Sequence, residues 1–203
     1  MQLTVQIPER QDAVLLPAGV FQWTEDEFFC FCQANRDLRI ERSAKGEIVV
    51  MSPAGGYAGY QSGEVFRQLS DWAVKDKTGL ALDSSTGFRL PNGAMRAPDA
   101  AWVQLARLQA LSRKEKEQFI PLCPDFVIEV ASPSDTLSGL REKMNEYRSC
   151  GLRLGWLILP VSTRVEIFTS SEVEVLDSPE TVTADATLPG FKLDLTSIWK
   201  PTF

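Results

Sequence analysis

The chain has 203 residues, 44% of them hydrophobic and 24% charged, which suits one sizeable core, or at most two small ones, in a water-soluble protein. It contains no histidine, which excludes Ser-His-Asp and Cys-His catalysis, HExxH metalloproteases and nucleases with a histidine base. Its net charge of −6 argues against a protein that coats nucleic acid, whose footprint needs a basic surface, but less against an enzyme whose acids hold a cation.

No apolar run is long enough to span a bilayer. The opening "MQLTVQIPER" has no basic segment followed by an apolar stretch, which points to the cytoplasm. Cys30, Cys32, Cys123 and Cys150 form no paired CxxC spacing. They are expected to be reduced and mostly buried thiols. With no repeat, low-complexity tract or linker, one domain is expected over 1–203: an N-terminal arm at 1–20, a core at about 21–170 and C-terminal strands at 171–203.

In chain order, "TEDEFFCFCQAN" predicts a helix, with Thr24 as N-cap and Glu27 completing a capping box. "LRIERSAKGEIVVMSP" predicts a hairpin turning at Lys45-Gly46. Ala54–Gly59 is expected to be a flexible loop. From Gln61 to Asp76, Val65, Leu69 and Trp72 make a helical stripe. "LALDSSTGFRLPNGAMRAPDAAWV" supplies two or three strands broken at Pro91-Asn92-Gly93, and Leu105–Phe119 is helical in pieces. Phe126–Ala131 is the central strand. A helix follows and ends near Gly151, then "LGWLILP" pairs with "RVEIFT", and short strands with a turn at "LPGF" finish the chain. This order implies an α+β or α/β fold with a mixed β-sheet flanked by helices.

Two acids stand out. In the central strand Glu129 shares its face with Val127 and Ala131, while Phe126, Ile128 and Val130 take the other. In "PDAAWV", Asp99 shares its face with Ala101 and Val103, and Trp102 points away. Each acid has an alanine two residues on, which leaves room beside it. Two roomy carboxylates suit a divalent cation, since Mg²⁺ takes one or two carboxylates plus waters and substrate phosphate. The plainer alternative is that each acid caps a turn or pairs with an arginine. For Asp99 alone that is the better reading; for Glu129 it is weaker, because burying an unpaired charge is costly.

The third element is basic. Leu140, Met144 and Tyr147 form the apolar stripe of the helix after the central strand. Lys143 lies at its edge, where its stem packs and its ammonium reaches the sheet. By spacing alone it is an ordinary snorkelling lysine. It can reach Glu129 only if "SPSDT" is a loop and the helix starts late, near Ser138. Lys143→Ala would then leave folding nearly intact.

Pro98-Asp99 followed by Glu129 in "FVIEV" resembles the PD-(D/E)XK phosphodiesterase superfamily. The stretches "GEIVVMSPAGG", "DSSTGFRLPNGAMRAPDAAWV", "CPDFVIEVASPSD" and "KMNEYRSCGLRLGWLILP" resemble one branch of it, small bacterial proteins named as putative restriction endonucleases. The resemblance implies a restriction-endonuclease-like core, and Mg²⁺ or Mn²⁺ held by Asp99, Glu129 and the Val130 carbonyl. The lysine expected two residues after Glu129 is absent, because that position is Ala131. In this branch it appears on the next helix, which here means Lys143. Glu64 is the nearest candidate for the further glutamate that a superfamily helix often adds.

The function implied is a magnesium-dependent endonuclease that hydrolyses DNA phosphodiester bonds, with Asp99, Glu129 and Lys143 as its catalytic residues. The alternative is a non-catalytic module that binds nucleic acid or protein on a degenerate nuclease fold. Cutting both strands of a duplex takes two active sites, so a homodimer is expected.

Overall fold

The computed structural model of the chain describes residues 13–16, 23–51, 53–184 and 186–203. The elements run β1 (Ala13–Leu16), α1 (Glu25–Ala34), β2 (Arg39–Arg42), β3 (Ile48–Met51), α2 (Gly56–Asp76), β4 (Gly79–Asp83), β5 (Phe88–Arg89), β6 (Met95–Arg96), β7 (Ala100–Gln104), α3 (Leu105–Gln109), α4 (Arg113–Glu117), β8 (Phe126–Val130), α5 (Leu137–Ser149), β9 (Leu154–Leu159), β10 (Arg164–Thr169), β11 (Val173–Asp177), β12 (Thr181–Thr183), β13 (Lys192–Asp194) and α6 (Thr196–Trp199). The opening "MQLTVQIPER" lies outside the described residues, and of the expected N-terminal arm only β1 is described.

The larger sheet is mixed, in the order β11-β10-β9-β8-β7-β4. Its only parallel pair among the described residues is β8 with β9, joined over the sheet by α5. The smaller sheet runs β1-β3-β2-β6-β5, and β12 and β13 make a third. The fold is thus α+β, with one mixed sheet, two antiparallel ones and flanking helices.

Both faces of the larger sheet are covered, so its central strands are apolar apart from Glu129. Every residue of β8 and β9 is buried. On one face Phe126, Ile128, Trp102 and Trp156 pack with Val65 and Leu69 of α2 and with Phe191 and Leu193. On the other, Ala101, Val103, Val127 and Leu157 pack with Met144 and Tyr147 of α5. The period-two division of β7 and β8 into faces is the expected one.

Several elements follow their local signals. Thr24 and Glu27 close the predicted capping box. The hairpin β2-β3 turns where Gly46 adopts φ +84°, a conformation that favours glycine. The pieces of Leu105–Phe119 are α3 and α4.

Four expectations need correction. α2 starts at Gly56, so Gly56–Gly59 are helical and not loop. Glycine disfavours helix, but this turn is held from outside: Phe203 packs on Gly56, Tyr57 and Tyr60. The buried stripe of α2 is Gln61, Val65, Leu69 and Ala73, while Trp72 sits at its margin, where its indole N–H donates to the Pro189 carbonyl. The stretch from Leu80 to Val103 makes four strands, because β5 and β6 join the smaller sheet. Of the cysteines only Cys123 is buried, since α1 fully buries Phe28 alone and leaves Cys30 in solvent.

Candidate active site

The chain crosses from the smaller sheet to the larger one between β6 and β7, and Asp99 stands at that crossing. It lies beside the end of the antiparallel neighbour β8. There its Oδ2 accepts the Val130 backbone N–H at 2.8 Å, and its Oδ1 pairs with Arg39 at 3.1 Å. Asp99, Glu129, Val130 and Lys143 all line one cleft of about 1190 Å³.

The second Pro-Asp pair has another fate. Asp125 is buried, pairs with Arg107 at 2.9 Å and accepts the Gln104 backbone N–H. It locks the start of β8 to the end of β7.

Lys143 reaches Glu129 because α5 starts late. Ser132 donates to Asp135 through both its backbone N–H and its hydroxyl, at 2.8 Å each, and so closes a turn. The helix then begins at Leu137, one residue before the expected start, with the Thr136 hydroxyl accepting the Gly139 N–H. Gly155 lets α5 lie close to β9, since a Cβ there would stand 2.5 Å from Met144 Cε. Lys143 Nζ ends 2.8 Å from Glu129 Oε1 and 2.9 Å from Glu41 Oε1.

Glu41 and its partners were not anticipated. In β2, Arg39 and Glu41 share the face opposite Ile40 and turn away from the cluster that Ile40 packs against. Glu41 also accepts from Arg96 at 3.1 Å and from the Ala97 N–H at 3.0 Å. Arg96 continues to Glu146 of α5 at 2.5 Å. Tyr147, expected only as part of an apolar stripe, donates its hydroxyl to Glu129 Oε1 at 3.0 Å. The available signal was the alternation in "RIER", which places Arg39 and Glu41 on one face.

One ammonium therefore serves two buried carboxylates whose proton affinities diverge. Burial opposes ionisation of Glu41, but Lys143, Arg96 and the Ala97 N–H outweigh it and hold this acid at about 2. Burial pushes Glu129 up to about 7. Lys143 opposes that rise, and the charges of Asp99 and Glu41 reinforce it. Burial alone would favour neutral Lys143, but Glu129 and Glu41 prevail and raise its pKa above the ordinary lysine value. A carboxyl poised near neutrality in a cleft marks a candidate functional site.

Glu129 uses only Oε1 for Lys143 and Tyr147; among the described residues Oε2 has no protein donor. Asp99 accepts one N–H on each oxygen, which leaves each a lone pair. These two acids fit a hard cation that keeps several waters. Among the described residues no three acidic, cysteine or histidine groups close into a metal-binding cluster. Glu64 does not line the cleft. It sits on α2 paired with Arg67 at 2.6 Å and accepts from Gln68.

Among the described residues no helix is long and apolar enough to cross a membrane. No curated protein matches the chain. The chain resembles a crystal structure from Anabaena variabilis described as a putative nuclease belonging to DUF820. The TM-score is 0.67 at 18% identity, over 79% of this chain and 89% of that one. The family model Uma2, described as "Putative restriction endonuclease", matches residues 25–196. That span holds Asp99, Glu129, Glu41 and Lys143, and the chain belongs to the Uma2 family.

Proposed function

We propose that the chain is a metal-dependent endonuclease that hydrolyses DNA phosphodiester bonds. One observation carries this reading: Glu129, buried, raised to about 7 and lining the cleft, stands beside Asp99 with a protonated lysine 2.8 Å away. Mg²⁺ or Mn²⁺ held by Asp99, Glu129 and the Val130 carbonyl would supply Lewis-acid activation of a water and a scissile phosphate oxygen.

The protein's own groups do the rest. Lys143 stays protonated, so it acts by electrostatics and not as a base: it neutralises charge that builds on the phosphoryl oxygens. Tyr147 holds Glu129 Oε1, and Glu41 holds Lys143 from the opposite side, so neither side chain reorganises when substrate arrives. Arg39 fixes Asp99.

A non-catalytic binding module is the second reading. It is favoured by Lys143 being engaged by two carboxylates already. Supercoiled plasmid incubated with Mn²⁺ separates the two. Nicking by the wild type that is lost in Asp99→Ala and in chelator supports the nuclease; a plasmid and a single-stranded oligodeoxynucleotide both left intact over prolonged incubation refute it. A two-fold dimer would supply one active site for each strand.

A further inference from the structure

A second cavity, of about 350 Å³, adjoins the cleft, and Tyr57, Ala58 and Pro133 line both. Its chemistry is unlike the cleft's. Its other walls include Val161, Trp199 and Gln61, and among the described residues no Asp, Glu, Lys or Arg lines it. No cationic side chain offers itself to a phosphate there, while a flat neutral ring has aromatic and proline faces on which to lie. Tyr57 is 58% exposed although its ring packs against Phe203 at 5.2 Å, so one aromatic surface remains open to solvent.

Gln61 supplies the specific signal. It is 8% exposed and lines the cavity. Its amide nitrogen donates to the Ile198 carbonyl at 2.8 Å. That orients the amide and leaves Oε1 without a protein donor among the described residues. Oε1 is thus held in a fixed direction on the cavity wall, where a ligand N–H can donate to it. Every nucleobase carries such a donor on its Watson–Crick edge, but in a duplex that edge is engaged by the opposite strand.

We propose that this cavity is a base-binding subsite that takes an unpaired nucleobase beside the scissile phosphodiester. The preferred substrate is then single-stranded or locally unpaired DNA rather than intact duplex. The proposal rests on the nuclease reading above, and binding measured without cleavage tests it separately. The probe is a fluorescein-labelled single-stranded oligodeoxynucleotide in chelator, followed by anisotropy. A version with abasic residues and a blunt duplex of the same sequence run beside it.

The wild type should bind the single strand more tightly than the abasic strand or the duplex. Tyr57→Ala should weaken single-strand binding by about 5- to 150-fold, the worth of one stacked base, and weaken duplex binding far less. Gln61→Met should narrow the preference for normal over abasic strand. Tyr57 is exposed enough that its variant folds even if the Gln61 variant does not. Abasic and normal strands bound equally, or Tyr57→Ala binding as wild type, would overturn the subsite while plasmid nicking still upheld the nuclease. Absence of both binding and nicking would overturn both.

Discussion

Glu41 and Glu129 touch the same ammonium, yet the same substitution should move stability in opposite directions. Glu41 falls from 4.5 to about 2 on folding. That corresponds to roughly 3 kcal/mol of stability at about 1.4 kcal/mol for each pH unit. Its folded value is depressed, so this stability is complete above pH 4.5 and is lost as pH falls through 2. Glu129 rises from 4.5 to about 7. Its folded value is raised, so its contribution is complete below 4.5 and is lost as pH rises through 7, leaving an ionised group that opposes folding by a similar ~3 kcal/mol above that. Glutamine imitates the protonated acid. At pH 8, Glu41→Gln should lower the melting temperature by roughly 6–12 °C, since about 1 kcal/mol moves a chain of this size by about 2–4 °C. Glu129→Gln should raise it, and the gain should shrink as pH is lowered from 8 to 5. Thermal melts of the three proteins at pH 5 and pH 8 decide it. If both variants lose stability at pH 8, or if the Glu129→Gln effect is the same at both pH values, the divergence of the two acids is wrong.

Lys143→Ala should abolish plasmid nicking, but the expectation that folding stays intact is revised. Removing the ammonium takes away the cation paired with buried Glu129 and leaves Glu41 to Arg96 and the Ala97 N–H, a loss of up to about 3–5 kcal/mol that urea unfolding would register. Tyr147→Phe keeps the packing and removes one donor to Glu129, so it should cost about 0.5–1.5 kcal/mol by the same assay and lower the nicking rate. Mg²⁺ or Mn²⁺ at a hundredfold excess over its dissociation constant should stabilise the wild type by about 2.7 kcal/mol and leave Asp99→Ala unmoved in thermal melts; equal shifts would remove Asp99 from the metal site. Sedimentation at micromolar concentration should give a dimer mass, and a monomer would count against paired active sites.

Local chemistry made much of this protein legible. A capping box sets the start of α1, a Lys-Gly turn sets the hairpin, and Ser-Pro-Ser-Asp composition delays α5 until Lys143 lies in its second turn. The two-residue period of strands assigned Asp99 and Glu129 to their faces before any partner was known. These features depend on residues a few positions apart, and short-range sterics and hydrogen bonds decide them. What the tertiary structure alone decided lies between distant segments. Two Pro-Asp pairs look alike in sequence, but Asp99 meets Arg39 across 60 positions at the cleft, while Asp125 is locked to the end of β7. The glycine-rich turn of α2 is helical where Phe203, from the far end of the chain, packs on it. Glu41 reaches Lys143 across 102 positions. Nothing near Glu41 in the chain reveals that an ammonium and a guanidinium will repay its burial, because the partners of a buried charge are set by how sheets and helices stack and not by its neighbours in sequence.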